Sequence, residues 1–343
     1  MTATHPLSSP VLPTPSTPRR ILVLGGTGFV GRALAAALSN LPSPPALRVP
    51  SRRPSTARAL AMLRPVELLA ADVHDPADLD RLLAGCDAVV NLVAALHGSE
   101  ASFERIHVEL PRQLVAACQR QGVRRLIHVS ALGVDETVVD QAPSMYLRSK
   151  GRGEQVLRAA ATAGAIDLTV LRPSVIFGTE DRFVNLFAEL QRLAPLLPLA
   201  GASVNFQPVW VGDVAAALVR SLLDRATVGQ TMECAGPEVM SLGDIARRAG
   251  IWAGNARPVL PLPEAVGLAQ AALMALLPGP TLMSPDNVRS MRIPNIATGR
   301  LPGLASLGIA PASMEAVMAP HLANRNGQAR SAHDLRRMLA GRD

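Results

Sequence analysis

Short apolar runs punctuate the first half of the chain, and each is followed by a stretch with helical spacing. Ile21–Leu24 is wholly apolar, the mark of a strand buried on both faces of a parallel sheet. A glycine-rich turn follows at once, and Arg32–Leu38 then reads as helix. The same alternation predicts strands at Ala46–Pro50, Val66–Ala70, Asp87–Val93, Arg124–Ser130 and Leu168–Leu171. Helices are expected between them at Ser55–Leu63, Pro76–Ala84 and Ser102–Arg120. Asp75 is the natural N-cap of the second, with Pro76 in its first position, and Gly122 closes the third. After a loop over Ala131–Ser144 comes a helix carrying Tyr146 and Lys150. Strand and helix alternating in this order predict an α/β fold built on a doubly wound parallel sheet.

Beyond Leu171 the alternation loosens. Phe183–Leu193 and Val214–Leu223 read as helices and Val209–Val211 as a short strand. Prolines at 258, 261, 263, 278 and 280 break up the remainder, and Leu268–Leu277 is an apolar helix too short to span a bilayer. The expected organisation is a disordered Pro/Ser/Thr-rich tail over 1–19 and a dinucleotide-binding domain over 20–178. A smaller, mostly helical substrate or interaction region over 179–323 shares elements with the sheet, and a mobile basic tail covers 324–343.

Composition removes several classes of function. The net charge of +7 comes from arginines spread along the whole chain, and aromatic residues make up only 3%, so no nucleic-acid partner is expected. The three cysteines are scattered without a paired motif, which suits a reducing compartment. Seven histidines show no ligand spacing, so no metal site is expected. No run is long enough for a membrane span, and residues 1–19 lack the apolar core of a signal peptide. A cytoplasmic location follows as the expectation.

Two constellations carry chemistry. In the turn Gly25-Gly-Thr27-Gly28-Phe29-Val30-Gly31, Gly25 permits a tight exit from the strand, Gly28 lets backbone approach a pyrophosphate, and Gly31 lets the helix pack closely. The helix N-terminus then offers N–H groups and a positive dipole end to phosphate. The second constellation emerges from counting. Among 34 Lys plus Arg there is a single lysine, Lys150, and the chain has a single tyrosine, Tyr146. They stand four residues apart on one helix face. A compact ammonium can bind ribose hydroxyls and lower the pKa of a neighbouring phenol, which then serves as acid or base at a substrate oxygen. Ser130, at a strand end, either bonds that same oxygen or is an ordinary strand-end serine.

These residues resemble the short-chain dehydrogenase/reductase superfamily, in its extended and atypical branches, which implies a Rossmann-type sheet. Gly25, Gly28 and Gly31 match its nucleotide loop, and Tyr146 and Lys150 its catalytic pair. Asp72-Val73 resembles the acidic element that contacts adenine, and Asn91–Ala95, with Val93 and Ala94, stands where extended members line the cofactor. Leu171–Gly178, with Pro173 and Val175, is similar to the segment flanking the nicotinamide. The stretches Tyr146–Glu154, Phe177–Asn185 and Phe206–Asp213, with Leu277–Pro280 and Pro294-Asn295, resemble one atypical subgroup. It is typified by the large NADPH-binding accessory subunit of respiratory complex I and its bacterial relatives. One departure stands out: Leu132 occupies the place where active extended members usually carry a catalytic serine or threonine.

An acidic residue about twenty positions past the last glycine would hold the ribose 2′-OH of NAD. Arg52 and Arg53 stand there instead and suit a 2′-phosphate, which favours NADP(H) over NAD(H). Two functions remain open: a reductase of a lipophilic carbonyl or quinone-related substrate, and a non-catalytic NADPH-binding accessory or assembly protein. For the second, the resemblance implies a respiratory-complex protein partner and a seat peripheral to the inner membrane. A sugar-nucleotide epimerase fits less well, since it would want an acidic residue where Arg52 stands.

Overall fold

The computed structural model describes residues 18–275 and 283–325, so the expectations for residues 1–17, 277–280 and 326–343 fall outside it. Seven strands form one parallel sheet: β1 (Arg20–Leu24), β2 (Ala46–Ser51), β3 (Val66–Ala70), β4 (Ala88–Asn91), β5 (Arg125–Val129), β6 (Asp167–Pro173) and β7 (Thr231–Cys234). Their order is β7-β6-β5-β4-β1-β2-β3, every pair parallel. The order reverses between β1 and β4, and the crevice at such a switch point is where doubly wound sheets bind ligands. This is a Rossmann-type sheet.

Helices cover both faces. On one, α1 (Phe29–Ser39) buries Leu34, Ala35 and Leu38 against Ile21, Val23 and Ile127. Removing the side chain of Leu34, which is wholly buried, would cost about 2–5 kcal/mol. On the other face α2 (Pro76–Leu83), α4 (Leu110–Gln121) and α5 (Met145–Thr162) pack on Leu22, Leu24, Val89 and Leu126, and the short α3 (Glu100–Glu104) precedes α4. Asp75 caps α2 by accepting the Ala77 N–H at 2.9 Å, and Gly122 ends α4 in the left-handed conformation with φ 69°.

The expected single helix over Ser102–Arg120 is interrupted. A π turn over Arg105–Glu109 separates α3 from α4. Pro111 has no N–H for the carbonyl four residues earlier, that of His107, so the helix widens there. Gly153 of α5 abuts this point, where a Cβ would lie 2.0 Å from the His107 oxygen.

The chain past 178 is more regular than its sequence suggests. After α6 (Val184–Leu193), α7 (Val211–Leu223) packs beside α1, and β7 then joins the sheet edge. Glu233, buried in that edge, accepts N–H groups from Thr298 and Gly299, so the segment after it covers the strand. A third apolar cluster unites α6, α8 (Leu242–Trp252) and the helix over 314–325 through Phe187, Ile245 and Met318. The apolar helix expected near Leu268 is α9 (Glu264–Ala275), which buries only Gly267 and Ala271 and exposes Val266 and Leu273. A short helix, α10 (Pro285–Ser290), comes next among the described residues. Among the described residues, no helix is long and apolar enough to cross a membrane.

Candidate functional site

The glycine turn leaves β1 at the switch point. Gly25 has φ +77°, and a Cβ there would come within 3.0 Å of the Leu92 carbonyl carbon, so both conformation and space demand glycine. Gly31 packs on the turn itself, where a Cβ would lie 2.4 Å from the Cα of Gly26. Gly28, the exposed N-cap of α1, is different: a Cβ would meet only the Gly25 oxygen, at 3.1 Å. Neither a side-chain cap nor an acidic residue blocks the first turn of α1, through Phe29 and Val30. Thr27 is half-buried in the same turn. An open backbone at an uncapped helix N-terminus fits a pyrophosphate.

The other expected cofactor residues gather along the same sheet edge. Arg52 and Arg53 follow β2, exposed, beside Asp72 and Val73 after β3, since Ser51 pairs with Ala70. Burial first, then the charges of Arg105 and Arg52, lower the pKa of His74 in this corner. Val93 and Ala94 follow β4, where the buried Asn91 accepts the Val93 N–H at 3.2 Å. Pro173 ends β6, and Val175 is pinned by Asn295, whose Oδ1 accepts the Val175 N–H at 2.9 Å and the Ser174 hydroxyl at 2.7 Å.

Helix α5 presents Tyr146 and Lys150 from one face. Lys150, buried, donates from Nζ to the Val129 carbonyl at 2.9 Å; burial brings its pKa down to about 8, while Glu154 one turn further on opposes the fall. Tyr146 is half-buried, and desolvation pushes its phenol up to about 12. Burial thus sets the direction of the Tyr146 shift, opposite to the lowering expected from Lys150. Ser130 is buried at the end of β5 with no partner for its hydroxyl. Leu132 is buried too, its N–H on the Pro173 carbonyl at 2.9 Å.

Three supports escaped the sequence reading. The first is aromatic: Phe103 stacks on His107 at 5.6 Å, and Tyr146 meets His107 edge-on at 5.6 Å. His107 accepts the Ala95 N–H at Nε2, so its proton sits on Nδ1 and bonds Ser149 Oγ at 2.8 Å; Ser149 in turn donates to the Tyr146 carbonyl. Burial, then the Lys150 charge, drives the pKa of His107 down to about 2. The second is ionic. Glu154, fully buried, takes Arg172 in a two-pronged contact at 3.0 and 2.7 Å, and Arg172 also pairs with Glu136. Arg158 joins the cluster at Glu136 and Glu154 and bonds Thr231 of β7. The third is Asp286, whose carboxylate accepts the N–H groups of Met145 and Tyr146 at the start of α5. Among the described residues, no group of acidic, histidine or cysteine side chains could hold a metal.

The profile of the NAD dependent epimerase/dehydratase family matches residues 21–235, which contain the glycine turn, the Tyr146–Lys150 helix and all seven strands but the first residue of β1. The chain belongs to this family. Members bind a nicotinamide dinucleotide, which the open glycine turn accommodates here. The family member at hand is 30% identical over 300 residues to the NADH dehydrogenase [ubiquinone] 1 alpha subcomplex subunit 9, mitochondrial, of Mus musculus, covering 85% of this chain and 77% of that one. It is also 30% identical over 200 residues to a ceramide reductase of Caulobacter vibrioides, covering 58% and 59%. The NADPH complex of the quinone oxidoreductase QOR2 of Escherichia coli shares the fold with a TM-score of 0.66 at 20% identity, over 90% of this chain and 99% of that one.

Proposed function

We propose that this protein is an NADP(H)-dependent reductase of a lipophilic carbonyl or quinone-related substrate. The observation that carries the reading is the only tyrosine and the only lysine of the chain set on one face of α5 at the cofactor edge. A bound nicotinamide supplies the hydride. The chain's own groups do the rest. The glycine turn and the α1 N-terminus hold the pyrophosphate. Lys150, with one N–H on Val129, keeps its remaining donors for ribose hydroxyls. Tyr146, whose phenol is protonated at neutral pH, delivers a proton to the substrate oxygen as the carbon receives hydride. Ser130 has an unengaged hydroxyl for the same oxygen. Arg52 and Arg53, exposed at the end of β2, supply cationic side chains that favour the 2′-phosphate of NADP(H).

The test is NADPH oxidation against a panel of carbonyls and quinones. Turnover with at least one of them, falling about 100-fold or more in Tyr146→Phe with NADPH affinity retained, supports the reading. Equal turnover by the variant rejects it.

A second reading rests on the likeness to a respiratory-complex subunit over 85% of the chain, and on Leu132, buried where active relatives carry a hydroxyl. The chain would then bind NADPH as a structural part and serve a respiratory-complex protein partner, seated peripherally at the inner membrane. The exposed Val266 and Leu273 of α9 are apolar surface that such a partner would cover. Under this reading the panel yields no turnover.

A further inference from the structure

Arg32 and Glu180, 148 residues apart in sequence, meet beside the glycine turn. Arg32 follows Gly31 in α1. Its Nη1 reaches back to the Thr27 carbonyl at 2.8 Å, and its Nη2 donates to Glu180 Oε2 at 2.6 Å. Glu180 is held in place by a stiff turn. The buried Asp181 accepts the N–H groups of Gly178 at 2.9 Å and Phe183 at 2.7 Å. Asn185 donates to the carbonyls of Gly178, Thr179 and Asp181, and its oxygen accepts from His321 and Arg325 on the helix over 314–325. The Phe29 ring lies against Gly178, where a Cβ would come within 3.0 Å of it. The turn thus rests on the first residue of α1 while Glu180 grips the arginine one position past the last glycine.

The Arg32 guanidinium reaches back along the turn to the Thr27 carbonyl, which sets the ion pair beside the α1 N-terminus that would hold a pyrophosphate. We propose that Arg32 and Glu180 form a strap across the phosphate groove that sets the rate at which the nicotinamide dinucleotide enters and leaves. The proposal rests on dinucleotide binding at this turn, whichever of the two functions holds. The paired side chains are 37% and 64% exposed, so the strap is a weak ionic latch, screened by salt, and opens without unfolding anything. A latch of this kind slows exchange about two- to fivefold.

The experiment is stopped-flow NADPH fluorescence on the full-length protein and on Glu180→Gln, at low salt and at about 0.5 M salt. Association and release both quicken about two- to fivefold in the variant with little change in Kd, and salt speeds release from the wild type more than from the variant. Unchanged rates overturn the strap. Slower release with tighter binding overturns it as well, since Glu180 would then act by repelling phosphate. A wild-type protein that binds neither NADPH nor NADH removes the cofactor reading and the strap together.

Discussion

The carboxylate of Asp286 accepts the backbone N–H of Tyr146 at 2.9 Å and that of Met145 at 2.8 Å, across 140 residues of sequence. Ser144 Oγ takes the next one, from Leu147, at 3.2 Å. The first N–H groups of α5 are thus satisfied by a buried acid from the C-terminal region, which also suits the positive end of the helix. The helix that carries Tyr146 and Lys150 is built on the sheet and anchored from outside it.

Replacing Asp286 with alanine leaves two N–H groups without partners at a half-buried helix start. A stability loss of about 2 kcal/mol is expected in urea denaturation, with turnover falling more than NADPH affinity because Tyr146 lies nearest the lost contacts. Unchanged stability would show that water replaces the carboxylate.

His107 gives the fold a dependence on acid. Its folded pKa of about 2 lies below the ordinary 6.5, so between these values the unfolded chain binds a proton that the folded one refuses. Stability is fully present above pH 6.5 and declines as pH falls towards 2, by about 2 kcal/mol between pH 7 and 5 from this residue. His128, which is buried and whose Nδ1 is 3.2 Å from Asn91 Nδ2, is shifted in the same direction by burial and by the Lys150 charge, and adds to the slope. Denaturation curves at the two pH values check this, and His107→Asn is expected to flatten the difference.

Lys150 titrates on the other side of neutrality. With its pKa near 8, the ammonium discharges as pH rises above that value, and NADPH affinity is expected to weaken there. Glu154 holds the proton on, so Glu154→Gln moves the midpoint below 8. Lys150→Met is expected to lose about tenfold in affinity and the pH dependence together, read by fluorescence titration from pH 6 to 10. A flat wild-type profile over that range would mean that the Lys150 charge contributes nothing to binding.

The proposed preference for NADP(H) rests on the end of β2. Arg52→Ala with Arg53→Ala is expected to weaken NADPH binding about tenfold or more while leaving NADH nearly untouched. Equal losses for both would assign these arginines a role outside the 2′-phosphate.

The sheet was legible in the sequence through β6 because β1, β4, β5 and β6 are largely buried and read as apolar runs, and glycine punctuates the chain between strands. β7 was not, for Thr231–Cys234 is short and contains Glu233, whose burial depends on Thr298 and Gly299 far along the chain. The π turn had a local cue in Pro111, hidden inside otherwise helical spacing. The site divides in the same way. Tyr146 and Lys150 stood out because each is unique in the chain. His107 and Phe103 occupy ordinary helical positions, and Asp286 acts at a distance that no local pattern encodes. The upward shift of the Tyr146 phenol follows from burial, which spacing alone does not reveal.

The measurement that bears most directly on function is the rate at which NADPH leaves the purified wild-type protein. A reductase exchanges its cofactor on every cycle, and ordinary turnover numbers run from about 1 to 1000 per second. Release complete within seconds is the expected result, and it directs attention to the carbonyl and quinone panel. Release over many minutes would contradict the reductase and make NADPH a structural part of a protein that acts through its partner.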